Sequence, residues 1–359
     1  MSSFQYYEFH AVDRPLNKQE QAHISSLSSR VQLTPRQAIF TYAYSDFRGD
    51  PLELLARSFD MLFYQANWGT TQLAFRFPSS TIDPQQIEPY CIGMSIELLP
   101  KGEYTLLNIS IQDEDMMGWI EPDGKGGGLL PLRDAIIQGD MRLLYIVWLK
   151  AAQHDEALDL DDGSYPLLDE DADLENPHEP PVPTGLQTLT ASLQHGMAVF
   201  GIDADLVAAA AEASTSTTEQ ADHFAQWVPL LPEAERNAFL VRIAQDDSAA
   251  RPELIRRLRE VGDVATGSSA SATPRRTLQE LLDRASDHAR QRKAREKQDA
   301  AQARQRELDA LAPRENALWE EVIALIEQKN AAGYDRATKL LVDLRDLARR
   351  QRQQATFEA

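Results

Sequence analysis

AAQHDEALDLDDGSYPLLDEDADLENPHEPPVPTG, residues 151–185, carries eleven Asp and Glu residues and neither Lys nor Arg. A segment this charged and this poor in apolar side chains buries too little surface to offset the entropy of ordering it. It reads as a tether. Its Asp-rich start is swollen by self-repulsion, and its end is stiff and extended where Pro177, Pro180, Pro181 and Pro183 crowd together. The chain therefore divides here, and the two sides differ in kind.

Upstream, the pattern is α+β. YYEFHAV (6–12) is aromatic and β-branched, as a strand is, and QAIFTYAY (37–44) is a second. NKQEQAHISSLSSR between them has Ile24 and Leu27 at helical spacing. Asp50-Pro51 is a helix entry, Asp50 as N-cap and Pro51 in the first turn. Leu52, Leu55, Phe59, Leu62 and Phe63 continue that helix at 3.6-residue spacing. Asn67-Trp68-Gly69 is a turn, and TQLAFRF alternates Leu73, Phe75 and Phe77 inward as a half-buried strand. Asp83-Pro84 opens a short helix, and CIGMSIELL and EYTLLNISI form a hairpin about Pro100–Glu103. A Gly-rich acidic loop then leads to LLPLRDAIIQGD and DMRLLYIVWLKAAQ, two helices divided at Gly139-Asp140, with Asp140 as the second N-cap.

Downstream, everything is helical. Leu186, Leu189 and Leu193 begin one helix, Asp203 or Asp205 caps the next, and LPEAERNAFLVRIA and RPELIRRLREVG follow. GDVATGSSASATP (262–274) reads as a second, shorter joint. A long charged helix of coiled-coil composition comes next, then a helical hairpin that turns at Gly333-Tyr334-Asp335. In that hairpin Trp319, Val322, Ile323 and Ile326 face Ala337, Leu340, Leu341, Leu344 and Leu347. The expected organisation is an α+β domain with a mixed or antiparallel sheet (1–153), an acidic Pro-rich linker (154–184), a small helical domain (185–261), a flexible linker (262–274) and a long helical arm ending in a hairpin (275–359).

Composition narrows the function classes. The single Cys91 excludes an intramolecular disulfide and any Cys-based zinc site, and an unpaired thiol suits a reducing cytoplasm. MSSFQYYEFH has neither a basic n-region nor an apolar h-region, and LLYIVWL (143–149) is far short of a bilayer span, so a cytoplasmic protein without membrane contact is expected. The net charge of −20 is uneven: residues 263–359 carry 18 basic and 16 acidic groups, so the excess acid lies before them. An acidic body repels nucleic acid at long range and suits basic protein partners.

Site chemistry is sparse. No two of His10, His23, His154, His178, His195, His223 and His288 sit three or four residues apart, and none pairs with Cys91, so neither metal nor cofactor is expected. Asp159, Asp161, Asp162 and Glu170 resemble a calcium loop, but Gly163 falls one position early. Residues 123–128 meet neither phosphate-loop pattern, and Glu114, Asp115, Glu121 and Asp123 would repel a phosphate, leaving a flexible loop tip. Asp123 and Lys125, like Glu327 and Lys329, have only the local look of nuclease chemistry. Two candidates remain besides an enzyme in the α+β head using Asp46, Arg48, Asp50 or the acidic loop. The first is protein docking through Trp319, Ile323, Ile326, Leu340 and Leu344, because two helices alone bury little. The second is nucleic-acid binding through Arg290, Arg292, Lys293, Arg295, Lys297, Arg304 and Arg306, a run that lacks aromatics for base stacking.

Seven phrases occur together: YYEFHAVDRPL (6–16), DFRGDPLELL (46–55), ANWGTTQLAFR (66–76), PLRDAIIQGDMRLLYIVWL (131–149), EPPVPTGLQTL (179–189), LPEAERNAFL (231–240) and LWEEVIALIEQKNAAGYDRATKLLVDLRDLA (318–348). With them the chain resembles a family of uncharacterised bacterial proteins described alongside SWIM-type zinc-finger proteins. The resemblance implies a zinc-finger protein as partner and places no zinc in this chain. It also implies a further basic helix after the hairpin, whereas this sequence stops at Ala359. The expected function is a non-enzymatic interaction or scaffold protein, binding such a partner or a second copy through its C-terminal arm.

Overall fold

A computed structural model describes residues 3–118, 120, 124–155, 177–215, 224–245, 250–266 and 275–350. They fall into two compact units, Met1–His288 and Ala289–Ala359. The calcium-like positions, Asp123 and most of the expected second joint lie outside the described residues. Seven strands form one sheet: β1 (Phe4–His10), β2 (Gln32–Leu33), β3 (Gln37–Ala43), β4 (Met61–Ala66), β5 (Thr70–Pro78), β6 (Ile96–Lys101) and β7 (Tyr104–Gln112). Around and after it come α1 (Lys18–Leu27), α2 (Pro51–Ser58), α3 (Pro84–Ile87), α4 (Leu130–Ile137), α5 (Arg142–Asp155), α6 (Ala191–Val199), α7 (Ala204–Ala211), α8 (Phe224–Trp227), α9 (Glu233–Ala244), α10 (Ala250–Thr266), α11 (Leu278–Leu311), α12 (Glu315–Glu327) and α13 (Ala331–Arg350). No helix among the described residues is long and apolar enough to cross a membrane.

The sheet order is β2-β3-β1-β4-β5-β7-β6, antiparallel throughout. Strand periodicity sorts its side chains onto two faces. Tyr6, Phe63, Leu73, Phe75, Leu107 and Ile109 join a cluster with α4, α5, α6 and α7. Tyr7, Phe9, Leu62, Tyr64 and Leu106 join another with Ile24 of α1 and Leu54 and Leu55 of α2. Because both faces are covered, β5 is buried through Ala74 and Arg76 as well as the expected Leu73, Phe75 and Phe77.

The same double burial explains a missed strand. The helix expected to run through Leu62 and Phe63 ends at Ser58, and Met61–Ala66 is β4, in the middle of the sheet. A strand buried on both sides loses its alternation, so its apolar run fits helical spacing equally well. Local cap chemistry, by contrast, is realised as written. The Asp50 carboxylate accepts from the N–H groups of Leu52 and Glu53, and Asp83, Asp140 and Asp203 accept in the same way two residues on.

The tether ends earlier than composition suggests. Glu179 is buried and forms an ion pair with Arg276 at 2.7 Å, and the hydroxyl of Tyr90 donates to the Pro181 carbonyl. His178 and Thr277 form an antiparallel bridge, with Glu179 N–H donating to Arg276 O and Leu278 N–H to Pro177 O. Nearby, Gly185 N–H donates to Thr215 O and the Ser214 hydroxyl to Pro183 O. The helical domain expected at 185–261 does not stand alone either. Leu193, Val199, Phe200 and Leu206 share the cluster of Leu143, Leu144 and Trp148. Two short helices cannot close a core by themselves, so α6 and α7 use the apolar surface that α5 supplies. α10 continues through Thr266, inside the joint expected at 262–274, and its buried Gly262 lies against the Trp227 ring, where a Cβ would sit 2.4 Å from the indole.

Candidate functional site

The second unit contains the residues singled out for docking. In α12, Leu318, Val322 and Leu325 follow at i, i+4 and i+7 and are buried against Ala337 and Leu344 of α13. Trp319, Ile323 and Ile326 repeat that spacing one residue later, about 100° around the helix. Trp319 keeps partial cover from the cluster, as does Leu340, while Ile323 is 57% exposed and Ile326 42% exposed. The structure thus separates the five docking candidates. Leu344 is core, Trp319 and Leu340 border it, and Ile323 and Ile326 face solvent rather than α13 as their spacing predicted.

The turn between these helices is also displaced. It lies before Ala331, where Lys329 takes a left-handed φ of 49° and the Asn330 side chain accepts from Gly333 N–H at 2.6 Å. Gly333 is in the first turn of α13, and its absent side chain lets the helices approach: a Cβ there would sit 2.7 Å from the Leu325 carbonyl oxygen. The glycine marks close packing rather than the chain reversal.

The basic run lies on α11. Arg290, Arg292, Lys293, Arg295, Lys297 and Arg306 are exposed, and Arg292 pairs with Glu296 one turn on, at 3.0 Å. Arg304 is used inside the unit. It meets Asp343 at 2.7 Å and Asp346 at 2.9 Å, tying α11 to α13, and these carboxylates hold its pKa above the usual arginine value. Arg350 repeats the tie with Asp309.

In the head, the Gly-rich loop packs rather than waves. Lys125–Leu129 is a 3-10 turn lying on β1, where Gly126 N–H donates to Glu8 at 3.0 Å. Glu8 is fully buried and also accepts from the Tyr6 hydroxyl, from Gln37 and from His10, 2.7 Å away. Burial alone would raise its pKa, but the bonds from His10, Tyr6 and Gly126 outweigh burial and lower it. On the other side His195 Nε2 lies 2.8 Å from Lys125 O. A Cβ on Gly126 would come 2.8 Å from the Glu8 carboxylate, and one on Gly128 equally close to the His195 ring. The glycines therefore allow close approach of the loop to two side chains. Gly126→Ala is expected to cost about 1–3 kcal/mol of stability, as overpacking does, read as a lowered urea midpoint.

The enzyme candidates are mostly occupied. Asp46 accepts from the Gln5 side chain at 3.0 Å and Asp50 caps α2, while Arg48 stands at the edge of a cleft. Burial raises the Cys91 thiol to about 11, helped by Glu88 and Glu97, which leaves it inert at neutral pH. Among the described residues no group of three His, Cys, Asp or Glu is placed to hold a metal ion.

Composition concealed the buried acids Glu8 and Glu179, the second of them inside the stretch read as a solvated tether. The one visible signal was the placement of Glu8 inside an aromatic strand. No protein-family model matches the chain, and neither a curated protein nor a solved structure does.

Proposed function

We propose that this chain is a non-enzymatic interaction adaptor that docks a helical protein partner on α12. The observation that carries the reading is the line Trp319–Ile323–Ile326, an apolar stripe beside the one that α12 spends on its own core. Single exposed isoleucines mean little, but three apolar residues aligned over two turns are a groove-binding pattern. A second face in the other unit supports an adaptor. On α9 the residues Ala234, Ala238 and Val241 are exposed at i, i+4 and i+7, with Leu240 beside them at 63% exposure. The nucleic-acid reading has less support, because Arg304 is committed to Asp343 and Asp346 and the exposed run has no stacking side chain.

The resemblance makes a SWIM-type zinc-finger protein the first partner to try and a second copy the other. The full chain and Ile323→Glu/Ile326→Glu are compared by co-purification with that partner and by sedimentation. Both side chains are exposed, so the variant is expected to keep its stability to about 0.5 kcal/mol and to lose the partner or the self-association. A wild-type chain that is monomeric and retains no partner, or a variant that retains one unchanged, overturns the reading.

A further inference from the structure

We propose that the cleft between α1, α2 and the β6–β7 turn binds an anionic amphiphile: a carboxylate or phosphate carried on an aromatic or aliphatic body. The cleft measures about 770 Å³, within the range of small-molecule sites, roughly 300–1,000 Å³. Its apolar side is Leu27, Phe47 and Leu54, all packed in or against the cluster that covers this face of the sheet. Arg48, Arg57 and His23 stand along the same walls.

What marks the site is which charges are already used. The Glu53 carboxylate is taken by Lys101, and that of Asp50 by the backbone N–H groups of α2. Elsewhere in the head Arg14, Arg76, Arg133, Arg142 and Lys150 each have a carboxylate partner. Arg48 and Arg57 have none among the described residues, as is also true of Lys18, Arg30 and Arg36, but these two stand together on the walls of one cleft. Carboxylates are abundant here, yet two guanidiniums on one cleft, beside its apolar wall, are left without them. Such a pair offers planar, two-pronged donors to an incoming anion, and the adjoining apolar wall takes its body. A free inorganic anion would use half of the site, and a neutral body the other half.

The test is calorimetry on the full chain at low salt with four probes: phenyl phosphate, 3-phenylpropanoate, inorganic phosphate and benzyl alcohol. At least one of the two amphiphilic anions is expected to bind about tenfold more tightly than inorganic phosphate or benzyl alcohol, since each half-ligand forfeits one set of contacts. Whichever anion binds more tightly identifies the head group. Arg48→Gln/Arg57→Gln, two exposed positions, is expected to melt like the parent and to bind that anion at least about tenfold more weakly. Benzyl alcohol binding as well as the anions, an unchanged affinity in the variant, or no binding of either anion would overturn the proposal.

Discussion

Asp60→Ala is expected to lower the stability of the first unit by about 3–5 kcal/mol, the loss seen when one partner of a buried ion pair is removed. The Asp60 carboxylate is 1% exposed. One oxygen accepts from Val12 N–H at 2.7 Å and Asp13 N–H at 3.0 Å, and the other from the Arg76 guanidinium at 2.7 and 3.2 Å. Removing it orphans two backbone donors and leaves a buried cation whose remaining close contacts among the described residues are the Ala56 carbonyl and the Tyr104 ring. The effect spreads, because Arg133 bonds both the Arg76 carbonyl and Asp13. Asp60→Asn keeps acceptor and donor geometry for part of the network and should cost less. Replacing both partners with apolar residues, Asp60→Leu/Arg76→Met, should recover much of the loss, since the pair's attraction is largely offset by its own desolvation. Urea midpoints followed by near-UV dichroism give the order. A single Asp60→Ala variant within 1 kcal/mol of the parent would show that water relieves the guanidinium and that the pair is not the anchor described.

Glu179→Ala should have an effect of the same order, about 3–5 kcal/mol, with a distinct pH signature. Glu179 accepts from the Arg276 side chain at 2.7 and 2.8 Å, from Arg276 N–H at 3.1 Å and from the Tyr145 hydroxyl at 2.5 Å. Arg276 in turn donates to the carbonyls of Ala209 and Ala210. Burial would raise the Glu179 pKa, but the Arg276 and Tyr145 bonds override it and hold the pKa below the usual carboxylate value. A depressed folded pKa gives stability that is fully present above the unfolded value of about 4.3 and is lost as pH falls through the lower folded value. The parent should therefore lose stability more steeply than Glu179→Ala below about pH 4, with the two curves parallel at neutral pH. Curves that stay parallel through the acid range would remove Glu179 as the source. Tyr145, its pKa raised by burial and by Glu179, stays a donor throughout.

These two anchors also show what a sequence conveys and what it conceals. Asp50-Pro51, Asp83-Pro84, Asp140 and Asp203 were legible because a cap is made by neighbours two or three residues apart. So were the α+β head, its β6–β7 hairpin and the helical remainder, because strand alternation and helical spacing are local patterns. β4 was hidden by burial on both faces. Glu179 was hidden because its partner is 97 residues away, and nothing in an acidic, proline-rich context singles out the carboxylate that meets an arginine. The candidate site was legible as a set of apolar residues on α12, but not as a choice among them. Leu318–Val322–Leu325 and Trp319–Ile323–Ile326 have the same spacing, and only the approach of α13 decides which line is core. Arg48 was visible as a charged loop residue, yet its lack of a carboxylate partner emerges only once the surrounding acids are seen to be taken.

The paired contacts at Gly185–Thr215 and Glu179–Arg276 have a topological consequence. The chain leaves the 177–185 segment at Thr215 and returns to it at Arg276, so α8, α9 and α10 belong to a closed excursion with both ends pinned. Extra length inside such a loop adds only slowly to its closure entropy, about 0.6 kcal/mol for each doubling. Closure entropy alone therefore sets little limit on how long the excursion between these two pins can be.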